Sequence, residues 1–408
     1  MNTSSKRLIV IGGGAAGFFA AMRHKSLFPM HVVVILEKSD KLLAKVKISG
    51  GGRCNITHAC YDIRELAKFY PRGSRELLSP LQQFNVYHTL QWFEQRGVKI
   101  KAEEDGRMFP VSDSSQTIID CFLKEARDIG IKIYPNCGAK QILPEEGKWR
   151  LTLSNGRDRV ADAIILCSSS SPAALTIMQK LGQPVQPQVP SLFTFHIADK
   201  RIADLPGVSL PLVDLSVPAL KLKTSGALLI THWGMSGPAI LRMSAWGARA
   251  FAEVGYHFEL HINFCPGENQ ETIKAILLTH KSENNIKNIW GNHGLQIPAR
   301  LWKTLCEAAQ IPDTLIWAHI RKEQIQALAI QLTDARFYVR GKSSFKDEFV
   351  TAGGIDLKKV DLRRMQSKLF PGLFFAGEIV DIDAITGGFN FQAAWTTGWI
   401  AGSNALVR

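Results

Sequence analysis

Nowhere in the 408 residues do apolar side chains run unbroken for the roughly twenty positions that a membrane-crossing helix needs. Glycine or a charge interrupts every stretch first, so no membrane span is expected. The seven cysteines, Cys54, Cys60, Cys121, Cys137, Cys167, Cys265 and Cys306, include no CxxC pair, and their number is odd. Scattered in this way they read as free thiols of a reducing, cytoplasmic compartment and not as a disulfide framework. Internal repeats and low-complexity segments are also missing, which argues against a repeat array or a disordered linker. Acid is in short supply: 36 Asp and Glu face 49 Lys and Arg, a net charge of +13. That excess suits a polyanion such as nucleic acid, and equally a solvated basic surface.

The start of the chain imitates a secretory signal, with Lys6 and Arg7 ahead of "LIVIGGGAAGFFAAM". The glycines point elsewhere. "RLIVI" reads as a buried strand, "GGGAAGFFAAM" as a glycine turn opening a helix, and "HVVVILEK" as a second buried strand. Gly12, Gly14 and Gly17 stand in G-x-G-x-x-G spacing, and Glu37, followed by Lys38, closes the second strand about twenty residues on. Strand, glycines, helix, strand and acid in that order form a dinucleotide-binding unit. Gly12 is expected to make the tight turn, Gly14 to admit a pyrophosphate, and Gly17 to let helix meet strand. Helix N–H groups at Ala15 and Ala16 would face the phosphates, and Glu37 the ribose hydroxyls.

Further on, "SPLQQFNVYHTLQWFEQRG" and "SSQTIIDCFLKEARDIG" have helical apolar spacing. Three short β runs then follow, turning at Glu145–Gly147 and Asn155–Gly156 before a buried strand at Ala163–Cys167. A small antiparallel crossover returning to the main sheet suits FAD-binding folds better than plain NAD dehydrogenases. From about Ser191 the composition changes to Pro-punctuated strands and a helical stretch, and "VTAGGI" and "GLFFAGEI" return to buried strands. The expected class is α/β, a split Rossmann-like FAD-binding domain at 1–190 and 347–408. It is interrupted by a β-rich domain at 191–270 and 333–346 and a helical subdomain at 271–332.

With "GGGAAG", "KISGGGRCNIT", "LLITHWGMSGPAIL", "VTAGGI" and "FFAGEIVDIDAITGGFNFQAAWTTG" in order, the chain resembles the bacterial BaiN/RdsA flavoprotein family, a group that includes aminoacetone-oxidase-like proteins. The resemblance runs end to end. It implies bound FAD, an inserted barrel-like domain, and flavin-mediated redox chemistry with NAD(P)H, NADH favoured, as electron donor. One branch makes dihydrouridine in large-subunit ribosomal RNA. Two features depart from the family pattern: "LCSSSSPAALTIMQKLG", Leu166 to Gly182, replaces a glycine-rich loop, and Ala384 stands where glycine is common.

In flavoproteins of this fold the segment after the ribose-binding acid passes under the cofactor. Gly50, Gly51 and Gly52 would then bring backbone N–H groups to pyrophosphate or ring, with Arg53 neutralising phosphate or substrate and Asn55 beside it. Cys54 reads as a buried structural thiol or as a proton donor. C-x3-H-x-C at Cys54, His58 and Cys60 lacks the second pair of a structural zinc site, so no metal is expected. Gly377 and Glu378 suit the ribityl chain. Gly387, Gly388, Phe389 and Asn390 open a helix whose N-terminus can face the N1–O2 edge of the flavin. His232 is a structural or a catalytic histidine, and Arg336, Arg340, Lys342 and Lys346, interleaved with aromatics, are candidate RNA contacts. Three functions fit: a reductase of uridine in ribosomal RNA, an oxidase or reductase of a small amine or carbonyl metabolite, and an RNA-binding assembly factor with little turnover.

Overall fold

The computed structural model describes residues 5–343 and 350–407. The chain divides into two compact units, Met1–Val189 with Val350–Arg408, and Pro190–Phe349.

In the first unit β1 (Arg7–Ile11), α1 (Ala15–Leu27) and β2 (Val32–Leu36) follow one another. β1 lies parallel between β2 and the strand Ala163–Leu166. Lys132–Tyr134 extends the sheet beyond β2, and Leu373–Phe375 extends it on the other side, both in parallel. Two short antiparallel strands, Gln366–Ser367 and Val360–Asp361, finish that edge. Leu8, Ile9, Val10, Ile164 and Ile165 have no exposed surface, the unbroken apolar pattern of parallel strands covered on both faces.

The three β runs form an antiparallel sheet, Ala139–Glu145, Lys148–Leu153 and Asp158–Ala161, that leads into Ala163–Leu166. Its first tip is a two-residue hairpin in which Glu146 and Gly147 both have positive φ, 47° and 77°. The expected helix at 79–97 is instead two helices, Leu78–Gln83 and Val86–Glu94. Asn85 divides them because its side chain accepts from the Tyr87 and His88 N–H groups and His88 reciprocates, a capping box that outcompetes helix continuation.

The closing helix Phe389–Asn404 lies against α1. The approach is close: a Cβ on Gly402 would stand 2.3 Å from the Ala20 carbonyl oxygen, and one on Gly398 2.8 Å from that of Ala16. Around this contact Phe19, Trp92, Phe122 and Trp395 pack as a fully or nearly buried aromatic cluster, with ring centroids 4.7 to 6.3 Å apart where they meet.

The second unit is built on a six-stranded antiparallel sheet in the order Phe195–His196, Gly234–Ser236, Leu222–Thr231, Ser209–Val217, His257–Asn263, Ala335–Arg340. Its outer strands nearly meet: Phe195 bridges Lys342, the His196 N–H donates to the Gly341 carbonyl at 2.9 Å, and the Ser343 N–H to that of Thr194 at 3.1 Å. The result is a barrel-like sheet close to closure. Helices Gln270–Glu283, Ala299–Ala308 and Lys322–Thr333 share its core, where Leu277, Trp302 and Leu328 join Leu260 and Phe337.

The α1 contact generates a prediction. Gly402→Ala places a methyl against rigid backbone, so the helices must separate, at a cost of about 1–3 kcal/mol. Thermal unfolding should show a lowered Tm with native circular dichroism retained; an unchanged Tm would mean the contact gives way freely.

Candidate dinucleotide-binding site

The three glycines after β1 are required for three different reasons. Gly12 has φ +115°, and a Cβ there would stand 2.4 Å from the Cys167 carbonyl oxygen. A Cβ on Gly17 would stand 1.9 Å from the Gly12 carbonyl oxygen, so only glycine lets α1 begin this close to the turn. Gly14 differs, since its φ of −95° suits any residue and a Cβ on it meets no atom within 4 Å. Nothing among the described residues demands glycine there. The demand fits a group that must lie against the backbone where α1 begins.

That helix start is electropositive by construction. Gly14 caps α1 without a side-chain hydrogen bond, and the first turn holds no acid, so its N–H groups retain their partial positive charge. Beside it Ser168 Oγ is buried with no hydrogen-bond partner among the described residues, and the Ser168 backbone nitrogen lies 3.0 Å from the Cβ position of Gly12. A buried hydroxyl without a partner is costly unless a ligand or water completes it. Unpaired donors and an open glycine suit a pyrophosphate.

Glu37 stands at the end of β2. Its carboxylate accepts from the Gly13 N–H at 2.8 Å and from the Ser39 N–H and hydroxyl at 2.9 and 3.0 Å. Lys38 is exposed, with its Cβ against Gly138. The next segment returns to the turn through the Leu43 N–H, which donates to the Gly13 carbonyl at 2.8 Å.

The helix Ala44–Gly52 is broken at Ser49, after which Gly50, Gly51 and Gly52 take φ of +58°, +67° and +85°. Successive left-handed residues reverse the chain and leave Gly51 and Gly52 with nothing within 4 Å of a Cβ. Arg53 turns away into local pairs: Nη1 meets Glu103 Oε1 at 2.5 Å, and the guanidinium lies 3.9 Å over the Phe109 ring. Cys54 has positive φ, 64°, and no exposed surface, and burial pushes its thiol up to about 12 against a weaker lowering by the Ser49 hydrogen bond. Among the described residues no three His, Cys, Asp or Glu side chains are grouped to hold a metal ion.

Asn55 ties this loop to the other end of the chain. With its amide turned to satisfy both ends, it donates to the Thr57 carbonyl and accepts from the Gly388 N–H, each at 2.9 Å. His58 Nδ1 lies 3.1 Å from the Gly387 carbonyl, and Trp395 Nε1 donates to the Ile56 carbonyl at 2.9 Å. Gly388, with φ +91°, caps the closing helix, again with no side-chain bond. Tyr70 donates its hydroxyl proton to the Phe389 carbonyl at 2.7 Å, and Asn390 holds both the N–H and the carbonyl of Ala384, at 3.0 and 3.1 Å.

Gly377 packs its Cα face on Ala16, with a Cβ position 2.7 Å from the Ala16 methyl, and its N–H donates to Thr397 Oγ1. Glu378 is thereby set near the start of α1. Its carboxylate pairs with Lys45 and accepts from Ser169 Oγ at 2.6 Å and from the Thr351 N–H at 3.4 Å. Sequence reading did not find Lys45, Ser169 or Thr351 as partners of Glu378; the signal that was present is the serine run in place of glycines. All four motifs of the first unit converge at the carboxyl ends of β1, β2, Ala163–Leu166 and Leu373–Phe375, where ligands of open α/β sheets bind.

His232, Arg336, Arg340 and Lys342 belong to the second unit. His232 is exposed at the two-residue tip between Leu222–Thr231 and Gly234–Ser236. Arg336 and Arg340 project from the exposed side of their strand on either side of Tyr338, but Arg336 is paired with Asp334 at 3.2 Å. Lys342 lies 5.2 Å over the Tyr256 ring. Lys346 falls outside the described residues.

The buried thiol yields a measurable consequence. At pH 8 Cys54 in the folded protein keeps its proton and is covered, so iodoacetamide should leave it unmodified until denaturant is added, whereas the partly exposed Cys60 reacts first. Peptide mass mapping showing early alkylation of Cys54 would contradict this burial.

The chain is similar to several known proteins. An E. coli (strain K12) ribosomal RNA dihydrouridine synthase is 27% identical, with 98% of each chain covered. A Clostridium scindens 3-dehydro-bile acid delta(4,6)-reductase is 26% identical, covering 98% of this chain and 99% of its own. A flavocytochrome c3 fumarate reductase in its open conformation shares the fold at a TM-score of 0.50 and 14% identity, over 99% of this chain and 78% of that one. The model of the HI0933-like protein Rossmann domain matches residues 6–404. The chain belongs to the HI0933-like family.

Proposed function

We propose that this protein is an FAD-dependent oxidoreductase that takes electrons from NADH and saturates a ring double bond, with uridine in large-subunit ribosomal RNA as substrate. The observation that carries the cofactor is Gly14: its conformation needs no glycine, yet any side chain would fill the ground before an uncapped helix start. The bound flavin would supply a two-electron centre that accepts hydride from the nicotinamide and returns it to the substrate. Gly12 to Gly17, with Ser168, would hold the pyrophosphate, Glu37 the ribose hydroxyls and Glu378 the ribityl chain. Gly50 to Asn55 and Gly387 to Asn390 would border the ring, where the uncapped start of the closing helix favours negative charge.

The substrate class draws on two different supports. Dihydrouridine is uridine with one double bond saturated, and a delta reductase saturates a double bond, so the names of both relatives describe one type of reaction. The excess of 13 positive charges favours the polyanionic substrate, and the free cysteines favour a reducing, cytoplasmic site of action. A small conjugated carbonyl compound is the second reading, supported by the name of the C. scindens relative. Saturation also needs a proton at the second carbon. Of the two side chains proposed as its donor, Cys54 is fully buried and His232 is exposed, which favours His232 over Cys54 for that role.

Gly14→Val should lower FAD affinity more than tenfold, a rough estimate for a side chain in the pyrophosphate position, while costing the fold no more than about 1 kcal/mol as a poorer helix cap. Flavin titration and melting curves read the two separately. A parent protein that takes up no FAD would end the assignment.

Nucleoside mass spectrometry of ribosomal RNA from a strain lacking the gene should show one dihydrouridine fewer, restored by the parent and not by Gly14→Val. Unchanged RNA would pass the case to the small-molecule reading. In rapid-reaction measurements His232→Ala should slow substrate reduction about a hundredfold and leave reduction by NADH unaltered; an unaffected rate removes His232 as the donor.

A further inference from the structure

Within the second unit lies an open cleft of about 530 Å³ lined by Lys221, Leu222, Lys223, Thr224, Ser225, Arg242 and Trp246. One wall is the start of the strand Leu222–Thr231; the other is the helix Pro238–Trp246. Arg242 and Trp246 stand one turn apart on that helix and therefore share a face. Arg242 reaches across to the strand, donating through Nη1 to the Ser225 carbonyl at 3.1 Å. Lys221, Lys223 and Arg242 are exposed and form no ion pair with another described residue. The acid at the border, Asp214, accepts from Ser225 Oγ at 2.5 Å.

Trp246 is unusual for a soluble surface. It is 45% exposed and has no aromatic partner among the described residues. Its backbone is fixed from below, because Gly247 packs against Leu222 and Phe251, with Cβ positions 2.6 and 2.3 Å from their side-chain carbons. Three unpaired cations around an open indole on a rigid support combine phosphate attraction with a stacking platform. The face carrying Arg336 is different, since its charge is locally offset by Asp334 and the neighbouring Glu259.

We propose that this cleft docks single-stranded RNA, with Lys221, Lys223 and Arg242 on phosphates and one base stacked on Trp246. The inference rests on the RNA reading of the function and names the surface that would hold the substrate strand. A base can lie on an indole only when it has left its own stack, which selects an unpaired segment over a duplex. An acidic peptide would satisfy the cations but leave the indole without a partner.

The test is fluorescence anisotropy of a short labelled single-stranded RNA titrated with the full chain across a salt series. The parent should bind with steep salt dependence. Combined Lys221→Ala, Lys223→Ala and Arg242→Ala should shallow the log–log slope by about two, the loss of three single-strand phosphate contacts. Trp246→Ala should weaken binding about tenfold, and Trp246→Phe should restore most of it. Melting curves identify any variant that fails to fold, and the phenylalanine variant keeps the stacking role testable in that case.

RNA binding by the parent that survives in the cleft variants would overturn the cleft and leave the RNA function standing. Loss in an Arg336→Ala, Arg340→Ala, Lys342→Ala variant with none in the cleft variants would do the same and move the surface to that strand. No binding by the parent at low salt would overturn both. A duplex of the same sequence binding as tightly as the single strand, with no effect of Trp246→Ala, would reduce the cleft to a nonspecific basic surface.

Discussion

The distance between the Gly12 carbonyl oxygen and the Cα of Gly17 governs the architecture of the first unit. A Cβ on Gly17 would stand 1.9 Å from that oxygen, so α1 can begin directly above the β1 turn only because no Cβ exists there. With the helix seated this close, its first N–H groups end up at the carboxyl edge of the sheet. Gly377 then packs on Ala16, and Gly398 and Gly402 bring the closing helix down on the same α1 backbone. Remove the close approach and the closing helix loses its seat, Glu378 moves from the helix start, and the loop held by Gly388 loses its anchor.

Elements whose signals are local were legible in the sequence. The β1–α1–β2 unit carries its pattern within thirty-seven residues, and the two hairpin tips of the small antiparallel sheet are marked by their own glycines. The break at Asn85 was also local, an Asn three residues before a His that can reciprocate, yet apolar periodicity runs through it and masks the cap. What the sequence could not disclose were pairings between distant positions. Arg53 is expected to neutralise phosphate or substrate charge, and nothing in the sequence signals that Glu103 and Asp113, about fifty and sixty positions away, reach its guanidinium. Asn55 and Gly388 meet across more than three hundred positions, and neither motif alone announces the other.

Charge shows the same limit. A net charge of +13 describes the whole chain and says nothing of where a polyanion would rest. The linear cluster of Arg336, Arg340 and Lys342 stands out in the sequence because its members are close together. Asp334, two positions before Arg336 in the chain, offsets its charge, and folding places His261 between Asp334 and Glu259 on the adjoining strand. Lys221, Lys223 and Arg242 draw no notice in the sequence because a helix and a strand are needed to assemble them. The fold thus brings three cations together beside an exposed indole.

The serine run that replaces the expected glycine-rich loop shows how a site adjusts to losing glycine. Ser169 takes φ +53°, a left-handed conformation that costs a residue with a Cβ roughly 1–2 kcal/mol. Its hydroxyl donates to Glu378 Oε2 at 2.6 Å, and a hydrogen bond to a charged group recovers about 1.5–3 kcal/mol. The turn is therefore tolerable because the carboxylate is there to receive the bond. Lys45 pairs with the same carboxylate and opposes its charge beside the start of α1. Ser168, next to it, keeps a buried hydroxyl with no partner among the described residues. One serine of the run thus completes the acid that orders the loop, while its neighbour presents a donor open to a bound group.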